Sequence, residues 1–377
     1  MRPPNQTFLE LTRSCNFRCQ HCFSRAGPPL EHELSKEVFF DIFDQLFELG
    51  CFYVNITGGE PLLREDLLDI LDYSRQYGEA QVHILLTNGS LWTKEFFEKF
   101  VQIYRKQPLQ VQISVDGYSY ETYSAARGGT QEDFNRVMRT IEWLHQVEVP
   151  LSACFTVTKK NINHTLKTAR WALEDLDVDI FHIIPLFVSG RAIKNYERLQ
   201  FSFEEWRALV RDVTILKRDK LWDGIEERVS FGFFTWYELV HALKLEGLEQ
   251  EMEPIWKLNK KEFMSMYRKV YCEAGITDWC IMSNGDLYPC VPSIGSEFLL
   301  GNVKETSLEE IWENSPTLQW FREDAREAAR KEPCKSCEHN DVCAGGCRVS
   351  ALILAGDKTA PDPRCPIVKE YQRKHEG

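Results

Sequence analysis

Residues 15–22 read Cys-Asn-Phe-Arg-Cys-Gln-His-Cys and come directly after residues 7–11, an apolar segment that predicts the first strand. Three thiols on so short a loop can ligate three irons of a cubane [4Fe–4S] cluster, which normally takes four ligands. A structural zinc site is the alternative, but zinc prefers a closed tetrahedron, and His21 would have to complete it from within the same tight turn. The cysteine loop, residues 15–22, therefore favours a cluster with one open iron.

After the cysteine loop, the first half of the chain alternates short apolar strands with amphipathic helices. Ser35 precedes an apolar stripe that ends at Gly50, which is typical of an N-cap and a C-terminal stop. Further helices are predicted around residues 67–71, 96–103, 137–144 and 166–173. The predicted strands are residues 7–11, 52–57, 82–87, 110–115, 151–157 and 179–185. Six β/α units predict a parallel sheet, curled or barrel-like, whose ligands lie at the carboxyl ends of the strands.

The charge balance restricts the partners of the chain. Its 377 residues include 57 acidic and 45 basic side chains, for a formal net charge of −12. Nucleic-acid binding depends on Lys and Arg facing the phosphates, so we expect no nucleic-acid partner. The sequence has no apolar run of about 18 residues, and residues 1–14 hold charged and polar groups in place of an apolar signal segment. These features predict a cytoplasmic protein that does not bind membranes.

The chain contains 13 cysteines, a high count for a protein in a reducing compartment. Metal ligation or redox chemistry is the usual explanation for so many cysteines there. Cys51 and Cys154 are isolated and suit buried apolar positions. Eight more form a dense C-terminal set: Cys272, Cys280, Cys290, Cys334, Cys337, Cys343, Cys347 and Cys365. Eight thiolates are the number that two further cubanes require, although a pair of zinc ribbons is an alternative with equally suitable spacing.

A chain of this length is expected to form two or three domains. The β/α alternation covers residues 1–195, and the cysteine-rich segment covers residues 271–377. Between them, residues 196–270 hold charged helical stretches and an aromatic cluster, which we interpret either as a packed bridge or as a substrate-facing wall. The cluster consists of Trp222, Phe231, Phe233, Phe234, Trp236 and Tyr237.

The cysteine loop, followed by Gly58-Gly59-Glu60-Pro61 after the second predicted strand, resembles the radical S-adenosylmethionine (SAM) superfamily. The resemblance implies that the open iron chelates the amino and carboxylate groups of SAM, and that the Gly-Gly-Glu-Pro turn meets the methionine amino group. Two glycines allow close backbone approach, and a carboxylate favours a nearby ammonium group.

Further positions match the SAM contacts of the superfamily one at a time, although each is also compatible with a capping or surface role. The resemblance implies that His21 and Leu186 contact adenine. It implies that Asn88, Ser114 and Asp116, at the ends of strands three and four, contact the ribose and the methionine carboxylate. Arg127 is implied to bind the methionine carboxylate.

The C-terminal cysteines resemble the seven-cysteine signature of the SPASM domain, with Cys280 as an eighth. The resemblance implies two auxiliary [4Fe–4S] clusters, and three [4Fe–4S] clusters in all. The first auxiliary set is Cys272, Cys280, Cys290 and Cys347, and the second auxiliary set is Cys334, Cys337, Cys343 and Cys365. Some relatives fill the place of Cys280 with another group or leave that iron open. The implied fold is α/β, a partial (β/α)6 barrel followed by a small α+β SPASM domain.

The resemblance implies an oxidoreductase that cleaves SAM reductively to a 5′-deoxyadenosyl radical, using an electron from a flavodoxin or ferredoxin. SPASM proteins mostly modify peptides, so we expect oxidative modification, such as crosslinking, of a ribosomally made peptide. The cofactors perform the difficult chemistry and the protein positions them. Because the first strand begins near residue 7, we also expect that the leader of such a peptide is read either by a separate leader-recognition protein or by the bridge and the C-terminal domain.

Other functions remain open at this point. A tetrapyrrole substrate of the haem or haem d1 pathways fits the same cysteines. A sulfatase-maturase-like protein oxidase is disfavoured. In that subgroup an acidic residue acts as the base directly after the third ligand of the first auxiliary set, and this position is Val291 here. An iron–sulfur carrier without turnover would form no 5′-deoxyadenosine. The sequence does not identify the catalytic base.

Overall fold

The protein is built on one ten-stranded sheet, seen in a computed structural model that describes residues 3–105, 109–232, 235–258 and 272–375. The strand order is β10-β9-β8-β1-β2-β3-β4-β5-β6-β7. The strands are β1 Gln6–Glu10, β2 Tyr53–Thr57, β3 Val82–Thr87, β4 Gln110–Ser114, β5 Leu151–Val157, β6 Ile180–Pro185, β7 Val229–Phe231, β8 Asp278–Ile281, β9 Asp286–Tyr288 and β10 Gly301–Asn302.

The six predicted strands are confirmed as β1 to β6, each within one residue of its predicted bounds and each parallel to the next. The five predicted helices are present as α1, α2, α3, α5 and α6. The helices are α1 Lys36–Glu48, α2 Leu67–Ser74, α3 Lys94–Tyr104, α4 Tyr120–Arg127, α5 Gln131–His145, α6 Thr165–Glu174, α7 Ala192–Leu199, α8 Phe203–Arg218, α9 Ala242–Leu245, α10 Leu308–Asn314, α11 Pro316–Glu323, α12 Asn340–Cys343, α13 Arg348–Ala355 and α14 Pro366–His375.

Both edges of the six-stranded core are extended by later parts of the chain. Strand β7, from the bridge segment, pairs parallel with β6. Strand β8, from the cysteine-rich segment, pairs parallel with β1 and places Cys280 opposite Phe8. A covered edge leaves fewer unpaired backbone groups than an open one. The sheet therefore runs through all three predicted segments, and the division at residues 195 and 270 stays a prediction.

The two faces of the sheet differ in polarity. On β5, Leu151, Ala153, Phe155 and Val157 are buried, and α6 packs on this strand. The intervening Cys154 and Thr156 line a cavity on the other face, together with side chains from β1 to β7. A single cavity can be lined by seven strands only if the sheet curls around it. The predicted partial barrel is therefore confirmed.

The bridge segment packs tightly where the structure describes it. Trp206 of α8 is buried, and its indole Nε1 donates to the Glu238 carbonyl oxygen at 2.8 Å. Phe231 stacks on Trp256 with ring centroids 4.8 Å apart, and it also lines the cavity. Phe231 therefore packs within the bridge and also faces the cavity, in agreement with both interpretations of the aromatic cluster. Phe233 and Phe234, and the end of the bridge from residue 259, lie outside the described residues.

The helices that the structure describes include none long and apolar enough to cross a membrane.

Candidate active site

The cysteine loop follows β1 directly, and its three thiols lie close enough to influence one another's charge. Burial raises the pKa of Cys19 to about 11; Arg127 lowers it, and the Cys22 and Cys15 thiolates raise it further. This mutual influence shows that the thiols are electrostatic neighbours. A backbone bond of 2.8 Å from Cys15 N to the Gly27 carbonyl oxygen holds the loop closed.

The Gly-Gly-Glu-Pro turn supports the chain that leads into this loop. The Gly59 N–H donates to the Thr12 carbonyl oxygen at 2.6 Å, and the Glu60 N–H donates to the Ser14 carbonyl oxygen at 2.7 Å. A Cβ at Gly59 would overlap the Ser14 carbonyl group. Pro61 then opens a short 3₁₀ turn. The glycines are needed here because two backbone segments lie in direct contact.

The Glu60 carboxylate is buried and bound by the end of β3. Its Oε1 accepts from Thr87 Oγ1 and its Oε2 accepts from the Asn88 N–H, both at 2.7 Å. Burial raises the pKa of Glu60, and these two hydrogen bonds lower it. The Asn88 amide in turn donates to Asn16 Oδ1 at 2.9 Å. Glu60 and Asn88 therefore tie the cysteine loop to the end of β3.

Three predicted SAM contacts lie together, with the buried Asp116 carboxylate between the other two. Asp116 Oδ2 lies 2.8 Å from Arg127 Nη1 and 3.5 Å from His21 Nε2, and its Oδ1 accepts from the Thr156 N–H at 2.6 Å. Burial lowers the pKa of His21 to about 4, although Asp116 opposes the shift. Arg127 Nε and His21 Nδ1 are buried without a hydrogen-bond partner among the described residues.

These unpaired atoms bear on the cofactor that the resemblance implies. Buried polar groups are nearly always hydrogen-bonded, so an unpaired guanidinium N–H and an unpaired ring nitrogen indicate a place for ligand groups. A guanidinium suits a carboxylate, which SAM carries. The residues present therefore fit SAM, while the individual contacts stay predictions.

Ser114 and Leu186 are the two remaining predicted SAM contacts. Ser114 ends β4, is half-buried, and pairs in register with Cys154. Leu186 is buried among Ala192 and Leu199 and is not among the described residues that line the large cavity. Its proposed place beside adenine stays a prediction.

The large cavity, here called the central cavity, has a volume of about 540 Å³. His21 and Phe23 of the first half line one part of it, and Cys272, Glu273 and Val291 of the cysteine-rich segment line another. Further lining residues are Gln6, Phe8, Asn55, Ile84, Leu86, Gln112, Cys154, Thr156, His182, Ile184, Phe187, Ser230, Phe231 and Gly232. A molecule in this cavity would thus lie between the cysteine loop and the first auxiliary set.

Three thiols of the first auxiliary set line a smaller adjoining cavity of about 130 Å³: Cys272, Cys290 and Cys347. Burial raises the pKa of Cys272 to about 12, and the Cys347 thiolate raises it further. Cys280 is buried on β8 beside them, and its pKa is raised by burial and then by the Cys290 thiolate. Its ligand role therefore stays a prediction, as do those of the other three.

The second auxiliary set also forms one electrostatic group. Burial raises the pKa of Cys334 to about 12, and the Cys365 and Cys337 thiolates raise it further. Burial raises the pKa of Cys343 to about 12, with a further contribution from Cys334. No three cysteine, histidine or carboxylate side chains in the described ranges are placed to enclose a single metal ion. The cysteines of each set thus influence one another's pKa, and the assignment of the two sets to two cubanes stays a prediction.

The sequence missed most of the central cavity wall. Burial raises the pKa of Cys154 to about 12, as expected for a buried thiol, but this side chain also faces the cavity. His182, Ser230 and Gln112 do the same. The sequence did carry a signal for this wall. Polar residues occupy alternate positions of otherwise apolar strands, and side chains at alternate positions of a strand point to the same face of the sheet.

Comparison with known proteins agrees with this geometry. Residues 9–172 match the model of the radical SAM superfamily, and residues 272–338 match SPASM, described as an iron-sulfur cluster-binding domain. The chain is 30% identical over 361 residues to mycofactocin maturase MftC of Mycolicibacterium smegmatis, covering 94% of this chain and 81% of that protein. It is 31% identical over 368 residues to the AdoMet-dependent heme synthase of Methanosarcina barkeri, covering 96% of each.

Solved structures show the same fold. The SAM-bound crystal structure of SuiB from Streptococcus suis superposes with a TM-score of 0.73 at 20% identity, covering 97% of this chain and 78% of SuiB. SuiB has also been crystallised with its precursor peptide SuiA. With three cysteine groups, the number typical of SPASM proteins, and the two matching domains, the chain belongs to the radical SAM superfamily, carries a SPASM domain, and takes [4Fe–4S] clusters and SAM as cofactors.

Proposed function

We propose that the protein is a peptide maturase, which oxidatively modifies, by crosslinking, a residue of a ribosomally made peptide. The central cavity carries this proposal. His21 and Phe23 line it beside the cysteine loop, whereas Cys272 and Val291 line it beside the first auxiliary set. A substrate held there is within reach of both redox sites. That arrangement suits an oxidation by two electrons, in which one site takes a hydrogen atom and the other takes an electron.

The residues around SAM orient it and exclude water. When bound, SAM and the N-terminal cluster supply the abstraction of a hydrogen atom. Asp116 holds Arg127 through a bond of 2.8 Å, so that the free Nε of this guanidinium can meet a carboxylate. Glu60, bound to Thr87 and the Asn88 N–H, keeps the end of β3 against the cysteine loop. The contacts of these residues with SAM are part of the proposal.

The chemistry of the cavity wall supports a peptide substrate. Gln6, Asn55 and Gln112 contribute neutral amides, and Glu273 is the one charged side chain among the described lining residues other than the cysteines and histidines. Amide side chains pair well with the N–H and C=O groups of a peptide. Similarity to a mycofactocin maturase and the fold shared with a peptide-bound SuiB support the same class. A leader-recognition protein and a flavodoxin or ferredoxin donor complete the proposal.

A tetrapyrrole is the second candidate substrate, and one observation favours it. The AdoMet-dependent heme synthase of Methanosarcina barkeri matches 96% of this chain and 96% of its own length. The propionates of a tetrapyrrole pair best with Arg or Lys, whereas Glu273 faces the cavity here. A sulfatase-type protein oxidase is disfavoured, because Val291, which lines the cavity, has no carboxylate that could act as the base.

The three segments would divide this work. We propose that residues 1–195 bind SAM, that residues 271–377 hold the auxiliary clusters, and that residues 196–270 join them and close the cavity. Phe231 on the cavity wall and Trp206 behind it support that role for the bridge.

The experiment is anaerobic reconstitution, followed by assays for iron, 5′-deoxyadenosine and product. We expect about twelve irons per chain, four for each cubane, and 5′-deoxyadenosine in the presence of dithionite. The enzyme is then co-expressed with short precursor peptides encoded near its gene and, separately, incubated with a porphyrin that carries propionates. A peptide lighter by two hydrogens supports the proposal. Turnover of the porphyrin alone would favour the second candidate, and no 5′-deoxyadenosine would contradict both.

A further inference from the structure

Four adjacent strands place one polar side chain each at the same level of the barrel. The register pairs Ser114 of β4 with Cys154 of β5, Cys154 with His182 of β6, and His182 with Ser230 of β7. Cys154, His182 and Ser230 line the central cavity. In a parallel sheet, residues paired in register project to the same face. These four residues, here called the polar row, lie side by side across the sheet, and Cys154, His182 and Ser230 form part of the wall against which a substrate would lie.

Within the polar row, His182 has one nitrogen held and the other available. Its Nδ1 lies 2.8 Å from Ser230 Oγ. Its Nε2 has no hydrogen-bond partner among the described residues and, unlike His21 Nδ1, is not sealed from solvent. Burial lowers the pKa of His182, so the imidazole is neutral near pH 7. When Nδ1–H donates to Ser230, the lone pair of Nε2 faces the cavity.

We propose that His182 Nε2 is the group that accepts a proton from the substrate during its oxidation, with Ser230 as its positioning residue. The inference rests on the proposed function. An oxidation of the substrate by two electrons removes one hydrogen atom and then one electron and one proton. The 5′-deoxyadenosyl radical, left when one electron from the N-terminal cluster releases methionine from bound SAM, would take the hydrogen atom. An oxidised auxiliary [4Fe–4S] cluster, held by the cysteine-rich segment, would supply the acceptor for the electron, and the neutral imidazole accepts the proton from the N–H, O–H or S–H group that forms the new bond.

Other groups on the wall compete less well for this proton. Burial raises the pKa of Cys154 to about 12, so it stays a neutral thiol. Glu273 lines the same cavity but is already engaged by another interaction and adjoins Cys272, a member of the first auxiliary set. Val291 occupies the position where sulfatase maturases carry their base and has nothing to titrate. His182, by contrast, belongs to β6 of the barrel and lies outside the cysteine-rich segment.

The test uses reconstituted holoenzyme and the peptide that the wild type modifies in co-expression. His182→Asn keeps a polar group near Ser230 but removes Nε2. We expect product formation to fall about 100-fold, the contribution typical of a general base, while 5′-deoxyadenosine still forms. The ratio of 5′-deoxyadenosine to product therefore rises, which a merely structural defect would not cause. His32→Asn, at an exposed imidazole, is the matched control and should leave both unchanged.

Chemical rescue checks the role directly. His182→Ala leaves a space beside Ser230, and added imidazole should restore product in proportion to the concentration of its neutral form. Ser230→Ala should raise the same ratio of 5′-deoxyadenosine to product, though less than His182→Asn does. If His182→Asn makes product at the wild-type rate, or if only Glu273→Gln stops product, the inference is wrong.

A second measurement needs no peptide. Diethyl pyrocarbonate acylates neutral, accessible imidazoles, so peptide mass spectrometry of treated holoenzyme should find His182 modified at pH 7, alongside the exposed His32. A His182 that stays unmodified while His32 reacts contradicts a free Nε2, whatever the substrate. If the wild type cleaves SAM but modifies no peptide, the proposed function fails, and this inference fails with it.

Discussion

Arg127, the last residue of α4, is bound to Asp116 by a 2.8 Å contact between Nη1 and Oδ2, and neither side chain is exposed to solvent by more than 12%. The pair joins a helix that follows β4 to the end of that strand. Because the same Asp116 oxygen lies 3.5 Å from His21, it also reaches the cysteine loop. One carboxylate thus orients two groups that we assign to SAM.

Arg127→Lys tests this arrangement. Lysine keeps the charge but loses the planar fork that binds two oxygens at once. We expect the affinity for SAM to fall about tenfold, close to 1.4 kcal/mol, with the fold retained. Equilibrium binding of SAM to the reconstituted protein measures it. Arg136→Lys, on the exposed face of α5, is the control. Unchanged affinity for SAM in Arg127→Lys would remove Arg127 from the SAM site.

Cluster roles can be separated by single substitutions. Cys15→Ala should abolish SAM cleavage, because it removes a ligand from the cluster that reduces SAM. Cys337→Ala should block product but leave 5′-deoxyadenosine measurable, because only the second auxiliary set is affected. Both are read by chromatography after reduction with dithionite. Equal loss of 5′-deoxyadenosine in the two variants would argue against distinct roles.

Gly59→Ala tests the contact between the Gly-Gly-Glu-Pro turn and the cysteine loop. The new methyl group would overlap the Ser14 carbonyl group, so the turn or the loop must move. We expect a lower melting temperature and loss of iron from the N-terminal cluster. Gly27→Ala is the control in the same region, since its Cβ would meet only the flexible Arg18 side chain, at 3.4 Å. Full iron content in Gly59→Ala would mean that the turn does not support the loop.

His83 provides a pH-dependent prediction away from the clusters. Burial lowers its pKa to about 3, with a further contribution from Arg75. The unfolded chain binds a proton near pH 6.5 and the folded chain does not, so the stability that His83 confers at neutral pH is lost as the pH falls from 6.5 toward 3. His83→Gln should therefore lose less stability than the wild type between pH 7 and pH 5. Urea unfolding at each pH measures the difference, and identical slopes would contradict the prediction.

Several features of the fold and the site were predictable because they depend on local sequence. Strands β1 to β6 follow from apolar runs of suitable length, and α1 follows from its apolar stripe between Ser35 and Gly50. The three thiols of the cysteine loop are neighbours because only eight residues carry them. Spacing along the chain was sufficient in each case.

Other features were not predictable, since they depend on pairing between distant segments. Nothing near Cys280 indicates that β8 lies parallel to β1, with Cys280 opposite Phe8. Residues 60 and 87 are far apart along the chain, yet the Glu60 carboxylate binds Thr87. The chain order likewise gives no hint that Cys272 and His21 border one cavity.

The sequence by itself determined the chemistry of this protein, because ligand types and their short spacings are properties of contiguous residues. It determined three cysteine groups, a parallel β/α core and the turn beside the cluster. Only the tertiary structure decided which polar side chains meet. The register of β5 to β7 aligns Cys154, His182 and Ser230, and a slip of one residue on any of these strands would turn its side chain away from the cavity.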